Sequence, residues 1–154
     1  MGNALFYHLT RSAAGDLLPA LLPRARGAGW RVELRGTDPA AIEALDLALW
    51  QIEGFLPHGI AGGRHDSRQP VLLRAVAKED APEPAPNDPA CLMALDGAPV
   101  SPAEAEALSR VCVIFDGNDP AALERARDQW RGLTEAGIAA EYWSEAGGKW
   151  ERKR

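Results

Sequence analysis

Apolar residues along this chain follow two spacings: short buried-type runs, and longer stretches with a period close to one helical turn. The short runs are rich in leucine, β-branched and aromatic side chains and end at turn residues, as expected for strands. Six segments fit this pattern: residues 3–9, 30–34, 71–77, 91–95, 110–116 and 139–143. The last of them predicts an edge strand.

Helical spacing and capping residues predict four helices between these strands. The first covers residues 16–28 and is closed by glycines, and the second runs from a cap at Thr37 or Asp38 to Trp50. Ser101 and Asp119 each precede a proline and cap two further helices, the last ending at Gly137. The buried face of the second helix is predicted to be Ile42, Leu45 and Leu49, with Ala41 and Ala48 beside them.

Strands that alternate with helices of this length predict an α/β fold. We expect a single-domain open sheet, mostly parallel, with helices on both faces, of the mononucleotide-binding or Rossmann type. Residues 78–90 are acidic and proline-rich, which predicts a surface loop within the domain. The domain then covers residues 1–150, and residues 151–154 are expected to be a mobile C-terminal tail.

Length and composition favour one compact domain of 154 residues. Neither a membrane-spanning run nor a signal peptide is recognisable, so we expect a cytoplasmic protein without membrane contact. Cys91 and Cys112 lie in separate apolar runs and are expected to be buried thiols.

The net charge of −5 argues against a general nucleic-acid binder, for which a strongly basic domain is expected. Residues 1–119 carry 16 acidic and 10 basic side chains, a net charge of −6, whereas residues 120–154 carry 6 and 7, a net charge of +1. The C-terminal segment is therefore the better candidate for binding an acidic partner.

Nucleotide-phosphate motifs are absent from the sequence. The only G-x-G, Gly27 to Gly29, follows a helix and precedes a strand, which is the reverse of the phosphate-binding order, so we interpret it as a turn. The segment GIAGGRHDSR could wrap an anion, but no helix is predicted after it to supply a positive N-terminus.

Metal and nucleophile patterns are also weak. His58, His65 and Asp66 do not have a recognised metal-ligand spacing. Ser67 and Ser101 lack a nucleophile setting, and Glu104 and Glu106 are predicted to be the solvated face of a helix. We therefore predict no catalytic residues, metal or cofactor.

The strongest remaining signal is the apolar stretch LDLALWQIEGFLPHGIAGG, because loops are normally polar. Its LD-x-x-LW followed by F-L-P-H, together with NALFYHL, VIFDG, ARDQWRGLTEAG and the late YW, resembles the chi subunit family of the bacterial DNA polymerase III clamp-loader complex. The resemblance runs from about residue 3 to residue 150.

This resemblance implies a non-catalytic component of a DNA polymerase complex that links two partners during DNA replication. One is the acidic C-terminal tail of single-stranded DNA-binding protein (SSB), which ends in phenylalanine; its binding residues correspond by position to Arg127, Trp130 and Arg131. The other is the psi subunit of the clamp loader or a helicase related to the iron–sulfur repair helicases; its binding residues correspond to Trp50 and Phe55. Tight direct binding to nucleic acid is not expected.

Three alternatives follow from the residues themselves. Arg127 and Arg131 can be solvated charges paired with Glu124 or Asp128, with Trp130 in the core. Trp50 and Phe55 can fold back as a lid over the crevice of the sheet. The whole chain can be a small nucleotide-binding enzyme on the same fold. The acidic loop 78–90 also departs from the more basic loop of typical family members, so no loop contacts are transferred.

Overall fold

Eight strands form one sheet, and four α-helices cover its two faces in this computed structural model, which describes residues 2–154. Numbered along the chain, the strands are β1 Asn3–Leu9, β2 Val32–Gly36, β3 Gly59–Ile60, β4 Val71–Ala75, β5 Cys91–Leu95, β6 Arg110–Asp116, β7 Ala139–Ser144 and β8 Glu151–Arg152. The helices are α1 Ala14–Gly27, α2 Pro39–Trp50, α3 Pro102–Ala107 and α4 Pro120–Glu135, with a 3-10 turn at Asp66–Arg68.

The sheet has the spatial order β3-β4-β2-β5-β6-β1-β7-β8. All neighbouring strands are parallel except β7 and β8, which are antiparallel. Strand β1 lies between β6 and β7, with Asn3 opposite both Arg110 and Ala139. The predicted α/β class with a single open, mostly parallel sheet is confirmed.

Alternation along the strands divides the interior into two hydrophobic cores. On β6, Cys112 and Ile114 enter one core with α1 and α2, whereas Val111, Val113 and Phe115 enter the other with α3 and α4. Burying each large apolar side chain contributes about 1.5–3 kcal/mol. Both faces of the central strands are therefore committed to packing, as is usual for a parallel sheet.

Helix N-termini begin where the caps predict. The carboxylates of Asp38 and Asp119 accept the N–H groups of Ala40 and Ala121, both at 3.0 Å. Ser101 forms a capping box with Glu104 at the start of α3. These local bonds fix the directions in which α2, α3 and α4 leave the sheet.

Two predictions about local structure need correction. The second strand is Val32–Gly36 rather than 30–34, and Ala41 and Ala48 of α2 are exposed. Only Ile42 and Leu49, two helical turns apart, are buried, with Leu45 partly buried, so the packed stripe of α2 is narrower than the apolar pattern suggests.

A buried charge cluster corrects the prediction that Glu104 is solvated. Arg35 is 2% exposed. Its guanidinium donates to both carboxylate oxygens of Glu33 and to both of Glu104, at 2.8–3.1 Å. It also donates to the Pro99 carbonyl, at 2.7 Å. Burial by itself would raise the pKa of Glu104, but the bonds from Arg35 lower it below its ordinary value. Arg74 also donates to Glu33, at 2.6 Å. The cluster joins β2, β4 and α3, so Glu104 acts inside the fold, while Glu106 is exposed as predicted.

The acidic loop 78–90 contains no helix or strand, but hydrogen bonds to β2, β4 and Gln69 hold it against the sheet. Asn87 is fully buried and its amide donates to the carbonyls of Val32 and Gln69, both at 3.1 Å. Arg74 donates to the Glu83 carbonyl at 2.7 Å. The loop therefore covers the polar face of β2 beside the charge cluster.

The C-terminal residues return to the sheet instead of leaving it as a free tail. Glu151 and Arg152 pair antiparallel with Ser144 and Trp143, so β8, and not β7, is the edge strand. The intervening turn places Trp150 edge-on against Tyr7, with ring centroids 5.6 Å apart. This aromatic contact attaches the C-terminal segment to β1, which the charged sequence of residues 151–154 does not predict.

Glu145 fastens the same return segment to the loop after β1. Its carboxylate is buried and accepts the backbone N–H groups of Thr10, Arg11 and Ser12 at 3.0, 2.8 and 2.6 Å. Burial raises the pKa of this carboxyl, but those N–H groups outweigh it and lower the pKa to about 2.

We predict that Glu145→Gln lowers the free energy of unfolding at pH 7 by about 1.5–3 kcal/mol, since bonds to a charged acceptor are lost. Because the folded pKa lies below the value of about 4.3 for an unfolded glutamate, the stabilisation is complete above about pH 4.3 and is lost as the pH falls toward 2. Urea unfolding at several pH values between 3 and 7 should show a flatter profile for the variant. Glu135→Gln, at an exposed position of α4, is the control; parallel profiles for Glu145→Gln and the wild type would contradict the assignment.

Candidate functional site

A cationic cleft lies between α4 and the C-terminal strands. It has a volume of about 380 Å³. Its lining consists of four basic and two aromatic side chains: Arg127, Trp130, Arg131, Tyr142, Lys153 and Arg154. This group, called the α4 cleft below, contains all three residues that the resemblance assigned to SSB-tail binding.

Trp130 and Tyr142 form an aromatic floor that is tied into the core. The Trp130 ring lies edge-on to Phe6 and Tyr142, with centroid distances of 5.2 and 5.9 Å. The Tyr142 hydroxyl is 2.6 Å from Nδ1 of His8. Because these rings hold one another, the floor is preorganised to receive an apolar side chain.

Trp130 has a position that is compatible with both of its predicted roles. It is partly buried against the core and still lines the cleft, since only one edge of the indole is needed to contact Phe6. The interpretation that it is core and the interpretation that it is a binding residue do not exclude each other.

Arg127 and Arg131 project from α4 into solvent, each about 62% exposed at the side chain. Each also has an acid one turn earlier, as the alternative of paired surface charges expects: Glu124 lies 4.0 Å from Arg127, and Asp128 contacts Arg131. Exposed pairs of this kind are worth about 0–1 kcal/mol, so they leave the guanidinium groups available to a ligand. Burial raises the pKa of Tyr142, while the nearby guanidinium groups of Arg127 and Arg154 oppose the rise.

Exposed apolar residues mark the opposite edge of the sheet. Four large side chains are exposed there: Leu47 at 64%, Trp50 at 52%, Phe55 at 83% and Ile60 at 38%. We call these four residues the β3-edge group, because they lie on α2, on the loop after it and on β3. Their exposure decides against the lid interpretation for Phe55.

The loop that carries Phe55 is held rigidly by its neighbours. Leu56 and His58 are buried, so alternate residues of the F-L-P-H motif face the core while Phe55 faces solvent. The His58 ring nitrogens lie 2.7 Å from the Leu56 carbonyl and 3.0 Å from the Asp46 carbonyl, and the ring stacks on Trp50 at 4.0 Å. His58 therefore positions Trp50 and the loop.

His58 and Asp66, two of the candidate metal ligands, make separate hydrogen bonds to the backbone. His58 is bonded inside the loop, whereas the Asp66 carboxylate accepts the N–H groups of Gly62 and Gly63 at 2.8 and 3.0 Å. Across residues 2–154, no group of three or more His, Cys, Asp or Glu side chains is arranged to hold a metal ion.

A further crevice lies at the carboxyl ends of β1 and β6, with a volume of about 690 Å³. These strands are adjacent, and the helices that follow them, α1 and α4, cover opposite faces, which is where open α/β sheets bind nucleotides. The backbone donors of the loop after β1, and one at the start of α4, are already occupied by carboxylates. Glu145 takes the N–H groups of residues 10–12, Asp16 that of Ala13, and Asp119 that of Ala121. A nucleotide phosphate would have to displace them, which argues against the nucleotide-enzyme alternative.

Three residues of the α4 cleft were not predicted as site residues: Tyr142, Lys153 and Arg154. Tyr142 could have been found from strand alternation, because it lies opposite Phe6 in the β1–β7 register and faces α4. The only signal for the other two is Gly147–Gly148, a turn dipeptide between two short polar and aromatic segments.

The fold and its surfaces define an α/β protein of the open parallel-sheet class. The family model described as DNA polymerase III chi subunit, HolC, matches residues 1–141, and the chain belongs to this family. Its family therefore makes it an accessory subunit of DNA polymerase III. No curated protein matches the chain. Within residues 2–154, none of the helices has both the length and the apolar character required to cross a membrane.

We predict effects of very different size on the free energy of unfolding for two neighbouring residues. Phe55→Ala should change the free energy of unfolding by no more than about 0.5 kcal/mol, because the ring is 83% exposed. Leu56→Ala should lower it by about 2–5 kcal/mol, because this side chain is buried among α2 and β4 residues. Chemical denaturation followed by tryptophan fluorescence measures both. A large loss of stability for Phe55→Ala would place its ring in the core.

Proposed function

We propose that this chi-family protein is a non-catalytic replisome adaptor. In this proposal the α4 cleft binds the acidic C-terminal tail of SSB, and the β3-edge group binds the psi subunit or a repair helicase. The observation that carries the proposal is the α4 cleft, with four cations around an aromatic floor.

The chemistry of the cleft fits an acidic peptide that ends in phenylalanine. Arginines donate paired, charge-assisted hydrogen bonds to carboxylates. Trp130 and Tyr142 supply a surface on which the terminal phenyl ring can pack edge-on or offset. Peptide recognition thus divides into a cationic wall for the acids and an aromatic floor for the last side chain.

The β3-edge group fits a second protein partner. Trp and Phe are frequent anchors in interfaces, and exposed large apolar side chains close together favour a protein contact. Trp50 and Phe55 are the aromatic members, and the buried Leu56 and His58 hold them in place. A partner would therefore meet a prearranged surface and order little of this loop on binding.

The two surfaces lie at opposite edges of one sheet. Strand β3 is the first strand in the spatial order, and β7 is the seventh. Six interstrand spacings of about 4.8 Å place them roughly 29 Å apart. Two partners can accordingly be held at once without competing for the same residues.

We predict that Arg127→Ala weakens binding of an SSB-tail peptide by about 1.5–3 kcal/mol, as expected for loss of a charge-assisted hydrogen bond. The melting temperature should hardly change, because the side chain is 62% exposed. Isothermal titration calorimetry with the peptide gives the affinity. Arg68→Ala controls for net charge, because Arg68 is also an exposed arginine and lies between β3 and β4, near the opposite edge of the sheet.

Salt and DNA provide two further checks on this interface. Affinity for the tail should fall as salt rises, because exposed charges are screened over about 3 Å at 1 M. Unaltered affinity in Arg127→Ala would show that this residue is a solvated surface charge.

Tight binding of single-stranded DNA at physiological salt without SSB would require a different function.

We also predict that the two surfaces can be separated by mutation. Phe55→Ala should remove the psi or helicase partner and leave the SSB tail bound, whereas Arg127→Ala should do the reverse, since distant sites act additively. An aromatic anchor of this kind is worth about 2 kcal/mol or more. Pull-downs with each partner measure the effect. Loss of both partners in a folded Phe55→Ala protein would contradict the proposal.

A further inference from the structure

The last two residues are held against the floor of the α4 cleft by backbone hydrogen bonds. The N–H group of Lys153 donates to the Tyr142 carbonyl at 2.6 Å, and the Tyr142 N–H donates to the Arg154 carbonyl at 3.2 Å. Strand β8 and the Trp150–Tyr7 contact fix the segment that precedes them. Their side chains therefore reach the cleft from a defined backbone position.

The basic residues of the cleft differ in how far they are already paired. Arg127 and Arg131 each contact an acid on α4, and Lys153 lies 3.3 Å from Glu151. Arg154 makes no side-chain ion pair with any residue from 2 to 154. It lines the cleft together with Arg127, and both guanidinium groups act on Tyr142. Arg154 is thus the cleft cation with the least internal competition for an incoming carboxylate.

We propose that Lys153 and Arg154 form a second cationic wall of the α4 cleft, so that an acidic peptide is held between helix α4 and the segment that follows β8. This inference rests on the proposed SSB-tail function and adds the residues that complete its site. Arg154 binds a carboxylate of the peptide, Arg127 and Arg131 bind from the helix, and the apolar side chain lies on the floor between them.

The two cationic walls come from different parts of the chain, α4 and residues 153–154. Tyr142 contacts both of them at the cleft. A peptide that bridges them meets charges on both sides, which favours a run of several acids over a single one. The cleft is thereby selective for an acidic segment, in addition to its terminal ring.

The test uses the full chain and a synthetic acidic peptide that ends in phenylalanine. Arg154→Ala should weaken binding by about 5- to 20-fold, in line with one charged hydrogen bond at a partly open site. Arg154→Lys should retain most of the affinity, and Arg154→Ala should have a shallower dependence on salt than the wild type. Lys149→Ala is the matched control, since Lys149 is exposed in the same return segment and does not line the cleft.

The outcomes separate this inference from the proposed function. If the wild type does not bind the peptide, both fail. If the wild type binds and Arg127→Ala weakens binding while Arg154→Ala and Lys153→Ala leave it unchanged, only the second wall is overturned. An equal loss in Lys149→Ala and Arg154→Ala would also overturn it, because net charge alone would explain the result. Melting curves confirm that each variant is folded.

Discussion

Burial of the parallel sheet on both faces is the constraint that shapes the rest of this structure. The central strands β2, β5, β6 and β1 have helices or the loop 78–90 above and below them, so apolar side chains dominate both faces. Where β2 brings Glu33 and Arg35 inside, the charges have to be paired, and Arg74 and Glu104 complete the pairing. The attraction within such a buried cluster is largely offset by the cost of removing its charges from water. The exposed apolar residues and the cationic cleft consequently lie toward the edges of the sheet.

Carboxylates of the chain itself occupy the backbone donors that a phosphate would use in related sheets. Glu145 fills the loop after β1, Asp119 caps α4, and Asp66 fills the glycine turn of GIAGGRHDSR. Each one supplies internally the negative charge that such sites attract. The sheet keeps the architecture of a nucleotide-binding domain while its anion sites serve to close loops. This physical difference supports an adaptor over a nucleotide enzyme.

The candidate surfaces were predictable to different degrees. Arg127, Trp130 and Arg131 follow from one helix, where a spacing of three and four residues places them near each other, and the structure does bring them to one cleft. Phe55 was uncertain from the pattern, because an apolar loop residue can face either way. The structure decided that the phenyl ring points outward, because Leu56 and His58, which follow Phe55 in the loop, are buried while Phe55 is exposed. Lys153 and Arg154 had no helical partner in sequence and could not be assigned to the cleft.

The sequence by itself determined the order and type of the main elements, since capping residues, proline at helix starts and periodic apolar positions act over a few residues. It also determined the α/β class and carried the family resemblance. Tertiary structure alone decided which polar residues are bonded inside the fold, as for Glu104, Asn87 and Glu145, because their partners lie far away in the chain. It also decided that residues 151–154 return to the sheet. That pairing depends on strand β7 already being in place, a long-range contact for which local patterns contain almost no signal.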